Sequence, residues 1–145
     1  MELTKRDKAY FNIAKEVSRL SDFPRVQIGC CAVYQHKVIS TGSNSKRTDP
    51  IQKQYNKYRM FEPTVSEKPH MCHAEVSCLK PLMNRTDIDF SRVHLYVWRK
   101  FGSDSIGLAR PCAGCMELIK KLGIRNIHYT NYGGYSHEII TYMKD

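Results

Sequence analysis

The sequence predicts an α/β domain in which helices pack on a mixed sheet. Three observations lead there. A chain of 145 residues, 41% hydrophobic and 26% charged, has the size and balance of one globular domain, residues 1–145. Its apolar residues switch between helical and alternating spacing along the chain. Proline and glycine fall at the changeovers, which gives the order α-β-β-α-β-α-β followed by a short tail.

Each element has a local reason. Thr4 followed three residues later by Asp7 reads as a helix start, and Tyr10, Ile13, Ala14, Val17 and Leu20 form an apolar stripe that Pro24 closes. "VQIGCCAVY" and "KVISTGS" are strand-like and joined by Gln35-His36, a hairpin connection. From Asn44 to His70 the chain is polar and aperiodic and carries Pro50, Pro63 and Pro69; so long a loop in a small domain points to function or disorder. A helix is expected to begin near Cys72 and to end or kink at Pro81. "RVHLYVW" is the next strand and "RKFGSDSIGLAR" a loop. Pro111 suits the first turn of a helix that stops at Gly123. "IRNIHYT" is a fourth strand, and Gly133-Gly134 turns into a last short element of open type.

Composition narrows the class. No apolar run is long enough for a membrane span, and "MELTKRDKAY" lacks the apolar segment of a secretory signal, so an intracellular protein without membrane contact is expected. In that setting the six cysteines are expected as thiols or metal ligands rather than disulfides. A formal charge of +9 attracts polyanions, nucleic acid first and phosphorylated small molecules second, although a merely soluble basic surface has the same composition.

Chemistry concentrates in two stretches. "PCAGC" sets Cys112 and Cys115 three apart at a helix start, where both sulfurs share a face and the helix dipole favours thiolates. Alone, such a pair is a redox couple, half a structural zinc site or coincidence. "HAE" places His73 and Glu75 at the other helix start. His73, Cys112 and Cys115 supply three zinc ligands and leave a fourth position for water, the catalytic rather than the structural pattern. Glu75, two residues from the histidine, is then placed to take a proton from the water and deliver protons to substrate and leaving amine. His-x-Glu followed by Pro-Cys-x-x-Cys is the signature of zinc nucleobase deaminases. Cys72 and Cys78 are left as packing residues of the same helix, and His70 as a loop residue without an assigned role.

On these motifs the chain resembles the cytidine/deoxycytidylate deaminase superfamily over about residues 8–135. "IGCCAVYQHKVISTGSN" resembles that family's first hairpin, and "LYV" and "GIRNIHY" its later strands. The resemblance implies a three-layer α/β/α fold with a mixed four- or five-stranded sheet, bound Zn2+, and hydrolytic conversion of cytosine to uracil or, less often, deamination of adenine. A histidine as first ligand resembles the deoxycytidylate, polynucleotide and tRNA-adenosine branches. The resemblance also implies that Asn44 contacts the sugar, that the backbone of Ala74 reads the pyrimidine carbonyl, and that Tyr132 packs on the target or a neighbouring base. The stretch between Trp98 and Pro111 is longer than is typical of these families and the chain ends soon after Gly134, which leaves substrate class and oligomeric state open.

Two substrates compete. In "SKRTDPIQKQYNKYRMF", Lys46, Arg47, Lys53, Lys57 and Arg59 stand among Tyr55, Tyr58 and Phe61, the mixture of phosphate-binding and base-stacking groups that suits single-stranded DNA. The same loop read blandly is a solvated basic segment whose aromatics pack on the domain. A third reading has Lys46 or Arg47 holding the phosphate of free deoxycytidylate. Lys100 and Arg110 are expected to add charge beside the zinc helix, and Trp98 is either a core strand residue or a wall of the base pocket. His36, His94 and His128 read as structural. Single-stranded DNA is the favoured expectation and the free nucleotide its alternative.

Overall fold

The structure is a computed structural model that describes residues 3–47, 49–59, 71–101 and 105–141. Pro63, Pro69, His70 and Phe61 lie outside the described residues, as does any role for them.

Helix α1 (Lys5–Ser18) starts where the sequence indicates: the Thr4 hydroxyl accepts from the Asp7 N–H and the Asp7 carboxylate accepts from the Thr4 N–H. Its buried face is Phe11, Ala14 and Ser18, rotated from the expected stripe. Leu20 falls beyond the helix end and is 76% exposed. Strands β1 (Ile28–Tyr34) and β2 (Lys37–Ser43) form the expected hairpin, with Gln35 and His36 both at positive φ. The stretch after Asn44 is not structureless: it contains helix α2 (Pro50–Tyr55) and a 3-10 turn (Asn56–Arg59). Asp49 caps α2 by accepting from the N–H groups of Ile51 and Gln52, and Pro50 sits where a helix needs no donor.

Helix α3 (Ala74–Leu79) begins with His73 at the capping position, and Pro81 converts its end into a 3-10 turn over Lys80–Leu82. Strand β3 (His94–Phe101) runs past the expected end and folds back on the short β4 (Ser105–Ile106), so part of the presumed loop extends the sheet. Helix α4 (Ala113–Leu122) is capped by Cys112 and ends at Gly123 in the left-handed region, φ 95°. Pro111 therefore stands one residue before the cap, not inside the first turn. Strands β5 (Asn126–Asn131) and β6 (Gly134–Ile139) form an antiparallel hairpin, which settles the tail as a strand.

The sheet runs β2-β1-β3-β5-β6, with only the β3–β5 pair parallel. Both faces are covered. Cys31, Val33, Tyr96 and Trp98 pack on α1, whereas Cys30, Ala32, Leu95 and Val97 pack on α3 and α4. That is a three-layer α/β/α domain. All six cysteines are free thiols, and among the described residues no helix is long and apolar enough to cross a membrane.

Two glycines let the helices approach the sheet. A Cβ on Gly29 would stand 1.9 Å from the Ala14 carbonyl oxygen of α1, and one on Gly42 would stand 2.4 Å from the Cys78 nitrogen of α3. Both obstacles are backbone, so alanine at either position must push a helix away, at a cost of about 1–3 kcal/mol. Their consequences separate, because α3 carries His73 and Glu75 and α1 carries neither. Gly29→Ala and Gly42→Ala are both expected to lower the melting temperature. Only Gly42→Ala is expected to weaken zinc retention, measured by competition with a chromogenic chelator.

Candidate zinc-binding active site

The starts of α3 and α4 face each other. Chain geometry brings them there: Ser45, just past β2, exchanges both backbone hydrogen bonds with Cys72 at 2.8 and 2.9 Å, which fixes the residue before His73 to the sheet. Cys72 thus belongs to a bridge preceding α3 rather than to the helix, while Cys78 is a fully buried helix residue. The His73 N–H donates to the fully buried Gln52 side chain at 2.9 Å, and Gln52 donates in turn to Asn56 at 2.8 Å. Helix α2 is itself tied down by the Asp49–Lys80 ion pair at 3.0 Å.

His73 Nδ1 lies 3.5 Å from Cys112 Sγ and 3.4 Å from Cys115 Sγ. A nitrogen and a sulfur bound to one tetrahedral zinc are about 3.5 Å apart, from bond lengths of roughly 2.05 and 2.3 Å. The donor set therefore fits zinc in both spacing and chemistry. The Cys112 thiol is lowered to about 4, first by the hydrogen bond from Cys115 and then by His73, against the opposing effect of burial. It is thereby poised as a thiolate ligand. Glu75, 5% exposed, is pushed upward by burial, with His73 opposing.

These groups open into a cavity of about 430 Å³. Its chemical floor is His73, Glu75 and Cys112; Asn44 and Arg99 stand on its sides, and Phe23, Val26, Met71 and Leu108 give it apolar walls. Thr130, fully buried in β5, fixes one wall: its hydroxyl accepts from the Arg99 N–H at 3.1 Å and donates to the Gly107 carbonyl at 2.7 Å. The Ala109 N–H adds a bond to the Thr130 carbonyl at 2.8 Å.

Expected site residues divide by location. Glu75, His73, Cys112 and Cys115 converge, and Asn44 lines the cavity. The Asn44 amide also accepts from Ile28 N–H and donates to Val26 carbonyl, so it braces the start of β1. Ala74 is fully buried between two lining residues and does not itself form the wall. Lys46 is at the rim, its Nζ 5.7 Å from the centre of the Phe23 ring, while Arg47 is exposed and off the cavity. Trp98 is a correction: strand alternation turns it to the α1 face, packed with Phe11 under Lys15, and Lys100 follows it. Tyr132, 69% exposed in the β5–β6 turn, does not line the cavity. Arg110 does, but its guanidinium pairs with Glu138 through two 2.9 Å bonds. Tyr55 is buried in the core at 4% exposure, so the basic loop keeps Tyr58 as its exposed aromatic among the described residues.

Two contributors escaped sequence reading. Arg99 had a signal, since it continues the inward alternation of Leu95 and Val97. Gln52, a single glutamine in a polar stretch, had none.

Compared with known proteins, the chain matches the sequence model of the cytidine and deoxycytidylate deaminase zinc-binding region over residues 4–131. It belongs to that family of zinc-binding deaminases. A search of curated proteins gives no significant match. Among solved structures it is similar to the dCMP deaminase of cyanophage S-TIM5 in apo form, with TM-score 0.60, 20% identity, and 90% of this chain and 86% of that one covered. The same phage enzyme in complex with dCMP and dUMP gives TM-score 0.59 at 20% identity, covering 90% of this chain and 85% of that one. The cytidine deaminase of Burkholderia pseudomallei gives TM-score 0.62 at 15% identity, with 94% and 93% covered. At these identities the likeness is one of fold.

The link from Gln52 to His73 is testable. Gln52→Leu leaves the His73 N–H without its acceptor and is expected to weaken zinc affinity by about tenfold, as loss of an outer-shell partner does. Chelator competition on the folded variant measures it.

Proposed function

We propose that the chain is a zinc-dependent hydrolase that converts the cytosine of a free deoxycytidine nucleotide to uracil, releasing ammonia. The observation that carries this reading is Arg99. Arg99 lines the same cavity as Glu75; its Nη1 donates to the Leu108 carbonyl at a long 3.5 Å, and its Nε is buried with no hydrogen-bond partner among the described residues. A buried guanidinium N–H without an acceptor is costly, and a phosphate on the substrate would supply one. The cavity volume of about 430 Å³ lies within the small-molecule range of roughly 300–1,000 Å³.

Bound zinc would be held by His73, Cys112 and Cys115 and would supply a water acidified enough to act as nucleophile at neutral pH. The residues do the rest. Phe23, Val26 and Leu108 enclose the base. Glu75, whose proton affinity is raised by burial, takes one proton from the water and passes it to N3, then takes the proton of the hydroxyl added at C4 and delivers it to the departing amino group. Asn44 faces the sugar from the β2 end.

Single-stranded DNA keeps one argument, the formal charge of +9 with exposed Lys46, Arg47 and Tyr132 near the mouth side of the sheet. Its aromatic platform is weakened by Tyr55 and Trp98 lying in the two cores. Conversion of cytosine to uracil within dCMP, deoxycytidine and a cytosine-containing oligonucleotide decides between the substrates. Turnover of dCMP well above deoxycytidine is expected, and turnover of the oligonucleotide alone would reject the proposal. Arg99→Gln is expected to raise KM for dCMP by about 10–100-fold, matching a lost charged hydrogen bond of roughly 1.5–3 kcal/mol, with deoxycytidine little affected. Glu75→Gln is expected to lower kcat by at least about 100-fold while zinc stays bound. Binding to the oligonucleotide, where measurable, is expected to fall steeply with salt.

A further inference from the structure

On the opposite face of the sheet, three histidines from three adjacent strands meet: His94 of β3, His128 of β5 and His137 of β6. The register explains the meeting. His128 and His137 are directly opposite in the β5–β6 ladder, and His94 is two residues before Tyr96, the parallel partner of His128. One ring nitrogen from each lies within 4.8 Å of one from each of the others.

The cluster is built rather than incidental. His94 Nδ1 and His128 Nε2 are 2.8 Å apart and so share one proton. His137 Nε2 stands 2.9 Å from the Asn126 side-chain oxygen, which makes it the protonated nitrogen and leaves Nδ1 with its lone pair. A hydrogen-bond acceptor on one ring nitrogen is the usual device for orienting a metal-binding histidine through the other. His128 is 4% exposed, and its Nδ1 is buried with no hydrogen-bond partner among the described residues. The buried His128 ring is held by stacking on Tyr96, 4.2 Å between centres; His137 stacks on its other face at 4.1 Å, so both rings can point at one ion only when the exposed His137 ring turns out of that stack. His137 is exposed, which leaves the cluster an approach from solvent.

We propose that His94, His128 and His137 form a second metal site, separate from the zinc-binding active site, that takes a borderline transition-metal ion such as Zn2+, Co2+ or Ni2+. Imidazole sets select such ions over Mg2+ or Ca2+, which require oxygen ligands. Lys5, Arg6 and Arg92 around the same hollow repel any cation, so the imidazoles alone must hold it; Asp7, the one carboxylate of the hollow among the described residues, already accepts from the Tyr96 hydroxyl at 2.6 Å. Two nitrogens on one tetrahedral ion sit about 3.3 Å apart. Closing the site therefore shortens nitrogen separations by about 1.5 Å from the 4.8 Å bound and rotates the exposed His137 ring away from its stack on His128. Binding displaces the proton shared by His94 and His128. Three protein ligands leave one position for water or a small anion.

The test uses the zinc-loaded full chain without a histidine tag. Titration with Co2+ is expected to show one additional equivalent per chain with visible d–d absorption and no thiolate charge-transfer band. His137→Gln, at an exposed position, is expected to lose that equivalent and keep the active-site zinc. His94→Gln is the second variant and is expected to do the same. Absence of a further equivalent in the wild type overturns the proposal, as does its persistence in both variants or a thiolate band accompanying it.

Discussion

Everything at the active site depends on two helix starts being held face to face. His73 and Cys112 are 39 residues apart in the chain yet their donor atoms are 3.5 Å apart. Unaided, the two N-termini repel, because each presents unpaired N–H groups and the positive end of a dipole. The arrangement becomes favourable when anionic groups lie between them. Cys112, lowered toward its thiolate form, occupies that position, which is why a residue that seems ill suited to burial is found there. Zinc binding and helix placement are in this sense one structural problem.

The supports of that arrangement lie outside the motif. The sheet contributes the Ser45–Cys72 bridge, the close packing of α3 on Gly42 contributes depth, and α2 contributes Gln52. Asp49 links these by capping α2 and pairing with Lys80 just beyond α3, so two short helices of six residues each stabilise one another. Neither would be stable alone, since helices this short depend on tertiary contacts.

The layers, the two hairpin-forming runs and the convergence of His73, Glu75, Cys112 and Cys115 were legible because each rests on short-range spacing: a capping box, alternation, Cys-x-x-Cys. Trp98 was left between core and pocket wall for the opposite reason. Its neighbourhood in sequence says that it is in a strand, and the face is set only by counting from residues known to point inward, which also brings Arg99 into view. The second helix was missed because its apolar anchors are few: Tyr55 and Ile51 dock on the core while Gln52 is buried for its hydrogen bonds. Polar residues buried for such reasons leave no hydrophobic period to detect. The histidine cluster was divided in the sequence reading, where two members were called structural and His137 was not considered, because cross-strand register is a property of the assembled sheet.

Thr130 has a mechanical consequence. One hydroxyl couples the strand that carries Arg99 to the segment that carries Leu108, and the Ala109 N–H closes the loop onto the same residue. That side of the cavity is thus an extension of the sheet and shares its stiffness. The facing side, from Phe23 to Val26, is attached through the Asn44 amide and the Asp22 carboxylate that accepts from Lys46 N–H. The pocket behaves as a vice with one fixed jaw: discrimination between ligands falls to the rigid side, and accommodation of their bulk to the side hung on side-chain contacts.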